Sequence, residues 1–309
     1  MGRDSHHRRR WLVALGAGAA VAALAIDFAL TDGGAAKTAS RVRVVAAESS
    51  WGSIAAQLGG DRVEVTSIVD NPAADPHDYE PTAADARAVA TARLVIVNGA
   101  GYDPWAAKLA RANPVGGRAE LTVGDLVGVK AGGNPHLWYS PDDVHAVIRR
   151  IVAEYIRLDP RAAAYFRRRA SLFKSQRLAA YARAIDEIAR LHRGTPVGAS
   201  ESIFAPLATA LGLHLVTPAP FLSAVSEGAE PTAADIATAE REIDRREIAV
   251  WVVNSQNSTP DVARLTTAAH DHGIPVVTIT ETPTPAGVTF QGWQARQLEA
   301  LAAALRNAH

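Results

Sequence analysis

Cysteine is absent from all 309 residues. That excludes disulfides, thiolate metal sites, a cysteine nucleophile and a lipid anchor carried on cysteine. Any metal ion bound by this chain must sit on His, Asp, Glu or water. An excess of one sign of charge is missing as well, with 32 Lys plus Arg against 32 Asp plus Glu. Without a net field to gather phosphates or coat an anionic membrane, no nucleic acid is expected as a partner. The His-Glu-x-x-His pair of helical zinc hydrolases does not occur, and Gly198-Ala199-Ser200-Glu201-Ser202 lacks the closing glycine of a nucleophile elbow. Gly99-Ala100-Gly101 is only the start of a phosphate-loop pattern.

What is present is a globular composition, 48% hydrophobic and 21% charged, enough for one large or two modest cores. The first forty residues differ from the rest. Arg8, Arg9 and Arg10 precede an apolar run from Trp11 to Leu30 broken only by Asp27, the outline of an export signal. The Arg-Arg-x-Trp-Leu order resembles a twin-arginine signal, and an ordinary secretory signal has the same outline. Residues 1–40 are therefore read as an export signal or an uncleaved N-terminal anchor plus tether, which puts the remainder outside the cytoplasm.

After Ser40 short β-rich runs alternate with segments of helical spacing, as in parallel α/β layers. Arg41 to Ala46, Val63 to Val69 and Leu94 to Asn98 read as strands of a first half. Pro196 to Ala199, Leu213 to Val216, Ile248 to Asn254 and Val276 to Thr280 read as strands of a second. The fold class expected is α/β, with two similar lobes of mostly parallel strands, residues 41–158 and 194–309. Between them, residues 159–193 read as one long rigid linking helix. Asp159-Pro160 starts it, and Leu178, Tyr181, Ile185 and Ile188 recur at spacings of three and four. At the α-helical rise it would be roughly 50 Å long. Ser140-Pro141-Asp142-Asp143 signals another helix start, with Val144, Ile148, Ile151 and Tyr155 on one face.

Two loops carry the chemistry. Asn71 to Thr82 holds three prolines around His77, so it is stiff and irregular and follows a strand, where open α/β sheets place ligands. Asn134-Pro135-His136-Leu137-Trp138-Tyr139 places His136 just before the Ser140 cap. Either histidine alone reads equally as a solvated loop side chain; two Pro-His loops, each tied to a regular element, point to a ligand pair. The remaining candidates are weaker. His145 lies on the following helix, His214 in a strand, and His270 and His272 at a helix end where the macrodipole favours them. Trp51, Trp105, Trp138, Trp251 and Trp293 follow no repeat, which suits core packing better than a sugar platform.

The Asp-Pro-His-Asp-Tyr-Glu-Pro-Thr run ending at Thr82, Asn98-Gly99 after the next strand, and Pro-His-Leu-Trp from Pro135 resemble the metal-binding substrate-binding proteins of zinc and manganese ABC importers. The resemblance runs from about Arg41 to the end. It implies four side chains from both lobes around one divalent ion, Zn²⁺ or Mn²⁺, with His77 and His136 at the first two positions. The third falls on Glu201, whose alternative is a carboxylate at a helix start capped by Ser200. The fourth falls on Glu281 in Thr278-Ile279-Thr280-Glu281-Thr282, where the family usually has Asp; a surface turn glutamate is the alternative. The His-rich loop of zinc members is missing. Two neutral imidazoles and two carboxylates would balance the ion's charge. Asp75, Asp78, Glu80 and Tyr139 are the nearby candidates for orienting the imidazoles. The resemblance implies a monomeric, non-enzymatic carrier whose partner is a membrane permease. A zinc-dependent hydrolase, from His77-Asp78-Tyr79-Glu80 read as His-x-x-Glu, and a metal-stabilised envelope adhesin are the rival readings.

Overall fold

The computed structural model describes residues 41–71 and 79–308. Residues 1–40, expected to be an export signal or an anchor with its tether, and His77, Asp75 and Asp78 lie outside the described residues. Ala39–His309 cluster as one compact unit.

Among the described residues, eight strands form two parallel sheets of four. The first holds β1 (Val42–Glu48), β2 (Val63–Val69), β3 (Leu94–Val97) and β4 (Ala119–Thr122) in the order β2-β1-β3-β4. The second holds β5 (Pro196–Ala199), β6 (His214–Leu215), β7 (Trp251–Asn254) and β8 (Val276–Ile279) in the order β6-β5-β7-β8. Every pairing is parallel, as in Val44 opposite Val65 and Leu94, and Trp251 opposite Val276. Apolar runs such as Leu94-Val95-Ile96-Val97, buried at every position, suit strands covered on both faces by helices. In both sheets the strand order reverses between the two central strands, β1 and β3 or β5 and β7, and this switch point is where such sheets leave a crevice.

The first sheet carries α1 (Ser49–Gly59), α2 (Ala83–Thr91), α3 (Pro104–Ala112), α4 (Val123–Val127) and α5 (Pro141–Leu158). The Ser140 hydroxyl accepts from Asp143 N at 3.3 Å at the start of α5, and Val144, Ile148, Ile151 and Tyr155 are all fully buried. The strand β4 was not expected from sequence. Its Ala-Glu-Leu-Thr alternation is only four residues long, too short for periodicity to stand out.

The segment linking the sheets is helical along its length but composite rather than one uniform α-helix. A 3-10 turn at Pro160–Ala162 leads into α6 (Ala163–Leu172), then a π turn at Phe173–Arg177, then α7 (Ala179–Leu191). The buried side chains explain the π turn. Phe166, Phe173, Leu178, Tyr181 and Ile188 all face the core, and the step from Phe173 to Leu178 is five residues, which an α-helical period of 3.6 cannot keep on one face. The π turn takes up the extra residue through a Leu178 N–H to Phe173 carbonyl bond of 2.9 Å. Helix α6 packs on α1 and α5 of the first sheet.

Beyond the link come α8 (Ala205–Leu211), α9 (Ala219–Ser226), α10 (Ala233–Asp244), α11 (Pro260–Asp271) and α12 (Phe290–Asn307). Helix α7 packs on α8 and α12. The N-terminus of α12 reaches the first lobe, where Phe290 N donates to Ser53 Oγ at 2.9 Å and Gln291 bonds Gln57. Trp51, Trp138, Trp251 and Trp293 are fully buried and Trp105 nearly so. No described helix is long and apolar enough to cross a membrane.

Candidate metal centre

Three of the four sequence candidates meet between the lobes. His136, Glu201 and Glu281 each offer one ligand atom, and those atoms lie within 4.8 Å of one another. All three residues are buried. The fourth candidate, His77, lies outside the described residues.

Each side chain is delivered by a loop just past a regular element. Glu201 follows β5 with an extended backbone (φ −161°, ψ 178°) and stands ahead of the 3-10 turn Ser202–Phe204 without capping it. The carboxylate at a helix start is therefore not its role. Ser200 does not cap either, since its hydroxyl accepts from Asn254 N of β7 at 3.0 Å. Glu281 follows β8 between two tied threonines. Thr280 N donates to Gln297 Oε1 at 2.9 Å and Trp293 Nε1 donates to Thr280 Oγ1 at 2.8 Å, while Thr282 N donates to Gln256 Oε1 at 3.0 Å. A surface turn glutamate is thereby ruled out, since Glu281 is 8% exposed.

His136 precedes the 3-10 turn Leu137–Tyr139 that leads to the Ser140 cap. Its ring packs edge-on against Trp138, centroids 5.5 Å apart, and Tyr102 at 6.2 Å. The loop is pinned by Asn98, whose side-chain amide donates to Pro135 O at 2.8 Å and accepts from Trp51 Nε1 at 3.0 Å. His136 Nδ1 lies 2.8 Å from Asn134 Oδ1, and Nε2 lies 3.3 Å from Glu281 Oε1. Among the proposed orienting residues, Tyr139 does something else: its hydroxyl lies 2.9 Å from Thr280 O and 3.0 Å from Gln297 Oε1, bracing the end of β8. Glu80 is exposed.

Residues that sequence reading did not single out surround the carboxylates. Asn254 Nδ2 donates to Glu201 Oε1 at 2.7 Å and to Glu281 Oε1 at 3.1 Å. Asn257 Nδ2 donates to Glu201 Oε2 at 2.6 Å, and the Tyr102 hydroxyl donates to Glu281 Oε2 at 3.1 Å. Burial, with the neighbouring Glu281 charge next, pushes the Tyr102 phenol well above its ordinary range, so it stays a donor. The Glu201 carboxyl is pushed up to about 7, first by burial and then by the Glu281 charge, against the opposing pull of His136, Asn254 and Asn257. Two crowded buried carboxylates are costly together and are relieved by a dication between them. The other described histidines stand apart from this cluster; His272, at the end of α11, pairs with Asp244 at 3.3 Å.

This arrangement defines a class: two parallel α/β lobes whose strand ends converge on one buried nitrogen-and-carboxylate cleft. Residues 44–304 match the family model described as ZnuA, zinc-uptake complex component A, periplasmic, and the chain belongs to that family. The metal ABC transporter substrate-binding lipoprotein FimA of Streptococcus parasanguinis is 25% identical over 271 residues, covering 80% of this chain and 82% of FimA. The manganese ABC transporter substrate-binding lipoprotein PsaA of Streptococcus pneumoniae is 30% identical over 147 residues, 43% of this chain. For PsaA and several other curated relatives, the matched segment spans about half of their length. Among solved structures, the periplasmic zinc-binding protein TroA of Treponema pallidum superposes with a TM-score of 0.68 at 20% identity, covering 86% of this chain and 99% of TroA. The relatives are named as solute-binding components of transporters, not as enzymes.

Proposed function

We propose that this protein captures one divalent transition metal ion, Zn²⁺ or Mn²⁺, outside the cytoplasm and releases it to the membrane permease of an ABC importer, without chemical turnover. The observation that carries this reading is the meeting of His136 with Glu201 and Glu281 in one buried cluster fed by loops of both lobes. His77, in the proline-rich sequence that follows β2, is the proposed fourth ligand; with it, two imidazoles and two carboxylates would neutralise the ion. The family and the names of FimA and PsaA support metal import as the purpose. Zinc in the family's description and manganese in PsaA's name support keeping both ions in the reading. Carboxylates suit the harder Mn²⁺, while the Irving–Williams order makes Zn²⁺ the tighter ligand at a mixed site. Residues 1–40 would export the chain, which would act as a monomer.

Elemental analysis of the purified protein, followed by calorimetric competition between Zn²⁺ and Mn²⁺, tests the reading. One ion per chain is expected, and replacing His77 and His136 together with Ala should abolish tight binding while the circular dichroism spectrum is kept. Undiminished metal content in that double variant would overturn it.

A further inference from the structure

Asn134 stands two residues before His136 and bonds in two directions. Its Oδ1 accepts from His136 N at 3.0 Å and lies 2.8 Å from His136 Nδ1. Its Nδ2 donates at 2.7 Å to the carbonyl of Ser202, across 68 residues and on the other lobe. Ser202 directly follows Glu201. The amide's orientation is fixed from both sides, because a carbonyl demands the NH₂ on one side and a backbone N–H demands the oxygen on the other. With oxygen facing Nδ1, that ring nitrogen must carry the proton, which leaves Nε2 as the lone pair aimed at Glu281 Oε1. Nε2 is fully buried and has no hydrogen-bond partner of its own, as a nitrogen held for a ligand would be.

The surroundings make this contact a closure point. Gly132, Gly133, Asn134, Ser202 and Ser226 line an open cleft of about 480 Å³ between the lobes. On the first-lobe side the loop ahead of Asn134 is glycine-rich, with Gly132 at φ 86°, so its backbone can re-aim at low cost. On the other side Ser202 is fixed, its hydroxyl bonding Ser226 Oγ at 2.9 Å while Asn257 ties Glu201 to the Val225 carbonyl.

We propose that Asn134 is a positioning residue that latches the lobes: one amide selects the His136 tautomer able to ligate and also holds the Glu201 loop of the opposite lobe, so ligand alignment and lobe closure are linked. The inference rests on the metal-capture reading above. It separates two jobs of one side chain, and the variants can separate them too. Asn134→Asp keeps an oxygen for His136 and loses the donor to Ser202; Asn134→Ala loses both.

The experiment measures equilibrium affinity and chelator-triggered release of Mn²⁺ and Zn²⁺ by stopped flow in the full chain, with the thermal midpoint of the metal-free protein as a folding control. For Asn134→Ala, affinity should fall about 10–100-fold, as for other residues that orient metal-bound imidazoles. For Asn134→Asp, release should accelerate about tenfold, the equivalent of one lost neutral hydrogen bond, with affinity falling far less than in Asn134→Ala and the midpoint unchanged. Release at the parental rate in both variants would overturn the latch while the metal site stands. His136→Ala serves as the separate control: if it binds metal as the parent does, the site itself is wrong and the latch falls with it.

Discussion

At Glu201 the balance between proton and metal is set by a few neighbours. Burial and the Glu281 charge raise its carboxyl to about 7, while Asn254 and Asn257 donate to the charged form. A folded-state value above the ordinary carboxylate range means that the metal-free protein is stabilised by protonation. That stability is full below about 4.5 and is lost as pH rises through about 7. A bound dication reverses the sign, because it requires the carboxylate. Two consequences follow for measurement. The Glu201 proton alone should lower metal affinity by about tenfold per pH unit below pH 7. The thermal midpoint of metal-free protein should decline from pH 5 to pH 8 relative to that of the loaded protein, and calorimetry at both ends checks it. At this scale the sequence pointed to the three groups that meet, His136, Glu201 and Glu281, and not to their supports. His136, Glu201 and Glu281 each follow a proline or a strand in their own local stretch, so local pattern finds them. Asn134, Asn254, Asn257 and Tyr102 act on partners distant in the chain, such as Tyr102 on Glu281, and only the tertiary fold brings them there. An Asn two residues ahead of a histidine is a recognisable local turn-former, and was the one available hint.

Among the elements, the linking segment shows how a periodic reading can be right about helix and wrong about uniformity. Leu178, Tyr181 and Ile188 do share the buried face expected of them, but the five-residue step back to Phe173 needs a π turn to keep α6 and α7 in phase. Gln176 is exposed within that turn. Deleting it should convert the π turn to regular α-helix with Phe173 and Leu178 four apart, leaving both faces aligned and the urea midpoint nearly unchanged. Inserting an alanine at the same place should rotate α7 by about 100° relative to α6, exposing part of its apolar face. That costs several kcal/mol, at about 1.5–3 kcal/mol for each large side chain taken out of the core. Comparing the two unfolding curves checks the argument. The missed strand β4 has a similar cause: four residues whose burial is decided by the neighbour β3, with which Ala119 to Thr122 pair from Leu94 to Val97.

Over the whole molecule, the two sheets repeat one strand order, and the ends of β5 and β8 bring Glu201 and Glu281 to the first-lobe loop between α4 and α5 that carries His136. A ligand taken between two such bodies stabilises the assembly by its binding free energy. At a free metal concentration a thousand times the dissociation constant this amounts to about 4 kcal/mol, which for a chain of this size raises the thermal midpoint by roughly 10 °C. Adding Zn²⁺ or Mn²⁺ should produce that rise and a strong chelator should cancel it, with no rise in the His77 and His136 double alanine variant. The lobed α/β plan was legible from the alternation of apolar runs and helical spacings. The closeness of the lobes was not, because it depends on contacts such as Phe290 N to Ser53 Oγ between chain ends far apart in sequence.

The single NH₂ of Asn254 is shared by Glu201 and Glu281. Oxygens tethered to one nitrogen cannot spread apart independently, so the gap between them behaves as a fixed caliper. A compact cation accepting a few short bonds fits such a gauge; Ca²⁺, which seeks six to eight oxygens at 2.3–2.6 Å, would have to pry the jaws open. Discrimination against Ca²⁺ would then draw on the stiffness of one asparagine as well as on the imidazole donor, which suits transition metals better than alkaline earths.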